Sequence, residues 1–219
     1  MANHLAIHAL SASLRDFLQQ SYEAAAGELS LPACQFEVLP AWKFAGTETI
    51  GHCLKTETLV LPAWKFAGTE TFSENTLTLY LYRVSTNHHL RNVRRGPPAG
   101  PLGLDLHYLL TVWGKDGETA ATEQTILGWV LRELHYHPWL DASLLNAEGG
   151  WAADETVALL PADPSAEDLV RLWDAVNRPY RLSCGLLARV VRLAKPDAEF
   201  APAVATRLTF TDDLQERQP

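Results

Sequence analysis

Hydrophobic and polar positions alternate across residues 104–112, with Leu104, Leu106, Tyr108, Leu110 and Val112 on one face and Asp105, His107 and Thr111 on the other. A period of two predicts a β-strand with one face against a core. An earlier segment does the same: Leu77, Leu79 and Leu81 alternate with Thr78, Tyr80 and Tyr82, a β-favouring composition. The connection between them, about residues 85–101, is too long and too rich in Gly and Pro for a tight hairpin. Loops of that length inside compact domains are commonly functional.

Elsewhere the period changes to 3.6. Ile7, Leu10, Leu14, Phe17 and Leu18 form a stripe that predicts a helix capped by Asn3, stopped at Gly27 and packed on the sheet. A second helix opens at Thr119, buries Ile126, Leu127, Val130, Leu131 and Leu134, and ends before Pro138. Ser165 with Asp168 makes a capping-box start for a third, which carries Leu169, Leu172, Trp173 and Val176 and stops at Arg178-Pro179. Residues 156–160 and 182–193 read as strands, 139–154 as loop or short helical turns around Gly149-Gly150, and 205–211 as a further alternating segment. The sum is an α/β (α+β) domain: a mixed, mainly antiparallel sheet flanked by about three helices.

One segment breaks the pattern. LPAWKFAGTET occurs at residues 39–49 and again, letter for letter, at 61–71. Two identical copies do not make a solenoid, so a recent tandem duplication or an artefact explains them better. The second copy leads into the strand at residue 77, which makes 39–60 the extra piece. If exposed, Trp42 and Phe44 or Trp64 and Phe66 suit a subunit interface; edge-strand packing is the competing reading.

Composition narrows the chemistry. The 219 residues carry a net charge of −8, which argues against general nucleic-acid binding. No 18-residue apolar run predicts a membrane-spanning helix, and the first residues lack the pattern of a secretory signal. Cys34, Cys53 and Cys184 are odd in number and far apart, which reads as free, buried thiols made in a reducing cytoplasm. His135 and His137 point to different faces of a helix, and no HExxH is present, so no metal site is expected. Asp105 and His107 share a strand face, but no recognisable nucleophile motif accompanies them. Nor is there a glycine-rich phosphate cradle. Arg91, Arg94 and Arg95 form a small basic cluster in an acidic chain, read either as a solvated loop or as a docking element for an acidic surface.

The two strands with their loop (LTLYLYRVSTNHHLRN, then LGLDLHYLLTVWG), together with MANHLAIHALSASLRDFL and RLWDAVNRPYRLSCGLLARVVRL, resemble the cap proteins of extracellular contractile injection systems. These are the tube terminators of phage-tail-like particles. The resemblance runs over about residues 1–195 and leaves 196–219 as a C-terminal extension; family members tend to have Pro where this chain has His88. It implies a tail-terminator-like fold and a non-catalytic cap, without cofactor or metal, that closes the baseplate-distal end of the inner tube and joins it to the sheath. The implied assembly is a homo-hexamer with inner-tube and sheath proteins as partners, no nucleic acid and no membrane insertion. It would be made in the cytoplasm and carried on a released or membrane-attached particle. The resemblance places Asn87, His88, Arg91, Asn92, Arg94 and Arg95 toward the tube or lumen. It leaves Trp42, Phe44, Trp64, Phe66, Leu208 and Phe210 for the sheath or neighbouring subunits. Two other classes stay open on the residues alone. One is a small hydrolase or metal enzyme using Asp105, His107 and His135 or His137; the other is an adaptor binding module with no six-fold form.

Overall fold

The computed structural model describes residues 2–39, 74–87, 101–115, 120–175 and 180–194. The elements run α1 (Ala6–Leu29), β1 (Gln35–Val38), β2 (Thr76–Thr86), β3 (Leu102–Trp113), α2 (Ala120–Tyr136), β4 (Trp139–Asp141), β5 (Thr156–Ala162), α3 (Ala166–Ala175) and β6 (Ser183–Leu193). The strands form one mixed six-stranded sheet in the order β1-β2-β3-β6-β5-β4. β1 lies parallel to β2, and every other neighbouring pair is antiparallel. The predicted fold class is the observed one.

β3 sits between the two other long strands, and its sequence explains both layers around it. Leu104, Leu106, Tyr108, Leu110 and Val112 face a core shared with Leu10, Leu14 and Leu18 of α1 and Ile126, Val130 and Leu134 of α2. Leu109 and Trp113 point the other way and pack with Trp173 of α3, flanked by Tyr80, Tyr82, Leu169 and Leu172. From Tyr108 to Trp113 every residue is buried, whereas over residues 102–107 only Gly103, Leu104 and Leu106 are. A strand covered on both faces loses its alternation. Buried Thr78 and Thr111 are accommodated because each is bonded. Trp113 Nε1 donates to Thr78 Oγ1 (2.8 Å), Thr78 Oγ1 donates to the Thr111 carbonyl (3.2 Å), and Thr111 Oγ1 pairs with Ser183 Oγ (3.1 Å). On the opposite face Tyr108 and Ser11 hydroxyls meet at 2.8 Å, tying α1 to the sheet.

The helix ends differ in detail from the pattern. α1 runs through Gly27 and stops at Ser30, which adopts φ 51° and donates its N–H to the Ala26 carbonyl. Asn3 lies ahead of the cap residue Leu5 and accepts the Leu5 N–H at 2.7 Å. In α2 the inward stripe excludes Leu131, which is 40% exposed, and takes in Trp129, whose ring meets Tyr22 edge-on at 4.8 Å. Ser165 and Asp168 make the expected box: Ser165 Oγ donates to the carboxylate (2.7 Å) and accepts the Asp168 N–H (3.1 Å).

Two short edge strands, β1 and β4, have no counterpart in the sequence pattern, since four and three residues are too few to show a period. Between β4 and β5 lies a single 3₁₀ turn, Ala147–Gly149, capped by Asn146 and closed by Gly150 at φ 63°. Ala2 threads beside the end of β6, donating to the Arg192 carbonyl (3.1 Å) and accepting from Ala194 (2.9 Å). The duplicated segment, the helix start at Thr119, Val176, the Arg178-Pro179 stop and residues 205–211 lie outside the described residues.

Truncating Leu110, which is fully buried, should cost about 2–5 kcal/mol, and Ser165→Ala about 1 kcal/mol. Urea unfolding should rank the two variants in that order.

Candidate functional site

β2 ends at Thr86 and β3 begins at Leu102, and these neighbouring strand ends carry a row of polar side chains. Asn87 is 5% exposed; its N–H donates to the Gly103 carbonyl (2.9 Å). Its side-chain amide donates to both oxygens of Asp105, at 3.1 and 3.2 Å. Arg189 of β6 approaches the same carboxylate from the other side, with Nε 3.7 Å from Oδ2. Asp105 is thus held between its two neighbouring strands. One row along, Ser85 Oγ meets His107 Nε2 at 3.0 Å, and the Tyr82 ring lies 6.0 Å from the imidazole.

Two irregularities create this row. A bulge between Leu81 and Arg83 of β2 brings Tyr82 and Arg83 to the His107 side, and a second shift between Leu104 and Asp105 resets the pairing of β3 with β6. Electrostatics follow from the neighbours. Burial and then the Arg83 charge push the His107 pKa below its ordinary value, with Asp105 opposing them. The ring is therefore neutral at pH 7.

The strand spacing correctly put Asp105 and His107 on one face. It did not anticipate that each would be engaged by β2, because Ser85 and Asn87 are located only by cross-strand register. Ser85 and His107 form the first two members of a nucleophilic arrangement. The third is not in place, because Asp105 spends its oxygens on Asn87 and Arg189 rather than orienting the imidazole. His137 packs against Phe17 of α1 at 5.4 Å and bonds Glu133, on the face of the sheet opposite His107; His135 meets Tyr136 edge-on. The residues of the hydrolase reading are not brought together. Among the described residues no group of three or more His, Cys, Asp or Glu is placed to hold a metal ion.

Cys34 and Cys184 are free, and burial pushes each thiol up to about 12, which makes both poor nucleophiles. No described helix is long and apolar enough to cross a membrane. Of the residues expected at interfaces, Asn87 is described; His88, Arg91, Asn92, Arg94, Arg95, Trp42, Phe44, Trp64, Phe66, Leu208 and Phe210 lie outside the described residues.

A family model described as the Pvc16 N-terminal domain matches residues 9–206. No curated protein matches the chain significantly. Among solved structures, it is similar to the sheath/tube terminator of an extracellular contractile injection system, PVC, in the extended state. That similarity has a TM-score of 0.45 and 15% identity, over 93% of this chain and 65% of that one. It is also similar to the anti-feeding prophage cap, a tube terminating cap, with a TM-score of 0.43 and 19% identity, over 64% of this chain and 51% of that one. The chain therefore spans less than two thirds of either structure's length.

His107 gives the site a pH signature. Its folded pKa lies below the unfolded value near 6.5, so the unfolded state binds the extra proton first. That contribution is fully present above the unfolded pKa and is lost as pH falls through the folded one. Between pH 7.5 and pH 5, about one unit above and about one and a half below 6.5, wild type should lose more stability than His107→Gln in paired urea titrations. Equal losses would show that the imidazole is not desolvated. Both thiols should also resist alkylation in the native Cys53→Ser protein and react fully in urea.

Proposed function

The chain belongs to the Pvc16 N-terminal domain family, and from that premise we propose that it is the structural cap that terminates the inner tube of a contractile injection particle and joins it to the sheath. The family match over residues 9–206 carries this reading, since it takes in the three long strands and the base of the loop. The polar row supports a non-catalytic role: its carboxylate and imidazole are committed to holding strand ends in register. An adaptor role unrelated to tubes has no specific observation in its favour.

On this reading the chain acts as a homo-hexamer, closing by rotation as heterologous contacts do, to match a six-fold tube end. One ring face copies the docking surface of the last tube layer; the other offers none, and polymerisation stops. The loop residues Asn87, His88, Arg91, Asn92, Arg94 and Arg95 reach the tube or lumen. Trp42, Phe44, Trp64, Phe66, Leu208 and Phe210 meet the sheath or a neighbouring subunit. Residues 1–195 form the cap domain and 196–219 an extension. Synthesis and assembly take place in the cytoplasm, on a particle that carries the cap at its baseplate-distal end.

The test is deletion. Particles assembled without the chain should show a broadened, longer tube-length distribution in electron micrographs, restored by the wild-type chain and not by one with Arg91, Arg94 and Arg95 reversed to Glu. An unchanged distribution on deletion would end the capping proposal. Full restoration by the reversed chain would end the loop assignment alone.

A further inference from the structure

Among the described residues α3 covers only part of its side of the sheet, and the part they leave uncovered has a distinct chemistry. Register places Trp139, Arg189 and Asp105 in one row across this face, and Leu160 and Arg83 in the next, with Arg192 further out opposite Gly103. Trp139 is 60% exposed and Leu160 is 38% exposed, which is high for large apolar side chains lying on a sheet face. Arg83 and Arg192 are exposed and make no ion pair among the described residues, while Arg189 reaches Asp105 at 3.7 Å. The two acidic groups nearest these rows, Asp105 and Asp141, are already engaged. Asp105 is bonded by Asn87, and Asp141, at the end of β4, accepts the Ser143 N–H at 2.9 Å.

Register sets Arg189 two strands and Arg83 four strands from Trp139, about 10 and about 19 Å across the face, and three guanidinium groups on the face that bears this exposed tryptophan stand out in a chain whose net charge is −8. Exposed aromatic and arginine side chains are the commonest energetic centres of protein interfaces. Charge complementarity then selects the occupant, because a cationic rim favours a partner that brings carboxylates and repels one that does not.

We infer that this open half-face is a docking surface for an acidic peptide segment of a neighbouring protein in the particle, one that seats a large apolar side chain against Trp139 and Leu160 and sets its carboxylates on Arg83, Arg189 and Arg192. The inference rests on the reading of the chain as a particle cap and adds a surface to it. The contact is built in two parts. Trp139 supplies apolar burial and governs dissociation, whereas the arginines steer the encounter and make it salt-dependent. Arg189 is half committed to Asp105, so Arg83 and Arg192 are the cleaner probes.

The experiment uses the full chain and particles assembled without it, with co-sedimentation as readout. Wild type should sediment with the particles and weaken steeply between about 0.1 and 0.5 M salt. Arg83→Glu with Arg192→Glu, and separately Trp139→Ala, should each weaken sedimentation about tenfold or more, with melting temperature unchanged. The paired lysine variant should retain binding with a similar salt dependence. Arg171→Glu, on the outer face of α3, should match wild type. A double glutamate variant that sediments like wild type would overturn the inference and leave the cap reading intact. Displacement by a labelled single-stranded oligonucleotide, or a loss confined to self-association in ultracentrifugation, would overturn it by assigning the face to a different occupant. Wild type that never sediments with the particles would remove the cap reading itself, and the inference with it.

Discussion

The structure turns on a mismatch of lengths. β3 is a strand of twelve residues, about 40 Å long, whose core face is buried from Leu104 to Val112, while the helix on its other face, α3, has ten residues and spans about 15 Å. Where α3 lies, β3 is apolar on both sides and the alternation disappears into Tyr108, Leu109, Leu110, Thr111, Val112 and Trp113. Where α3 ends, the same face has to carry polar side chains. These satisfy one another across strands: Asn87 with Asp105, Ser85 with His107, Arg189 with Asp105. The position of the polar row is thus set by the reach of one helix.

That division assigns stability and function to different ends of one strand. The doubly covered end holds Trp113 against Trp173, and every buried hydroxyl beside it is bonded, so it resists opening. The singly covered end has bulges in two strand pairings, and a buried amide and a paired carboxylate join the end of β2 to the start of β3.

Much of this was legible in the sequence, for identifiable reasons. The three long strands and three helices declared themselves because each is long enough to repeat its period several times. The Ser165–Asp168 box is local, and it appeared as read. Contacts that depend on register were not legible. Nothing in the spacing of Asp105 and His107 says that a bulge at Tyr82 will bring Ser85 to the imidazole, or that Asn87 will turn inward. Leu131 fell outside its stripe because Trp129, packing on Tyr22, took its share of the helix face. Gly27 did not stop α1, since glycine is tolerated inside a helix and Ser30 supplied the left-handed cap.

The cap role proposed for this chain is one of place, at the baseplate-distal end of a tube. Gold labelling of an affinity-tagged chain on intact particles, viewed by electron microscopy, measures that directly. The account predicts label at one end of each particle, opposite the baseplate. Label spread along the shaft, clustered at the baseplate or absent from intact particles would contradict it.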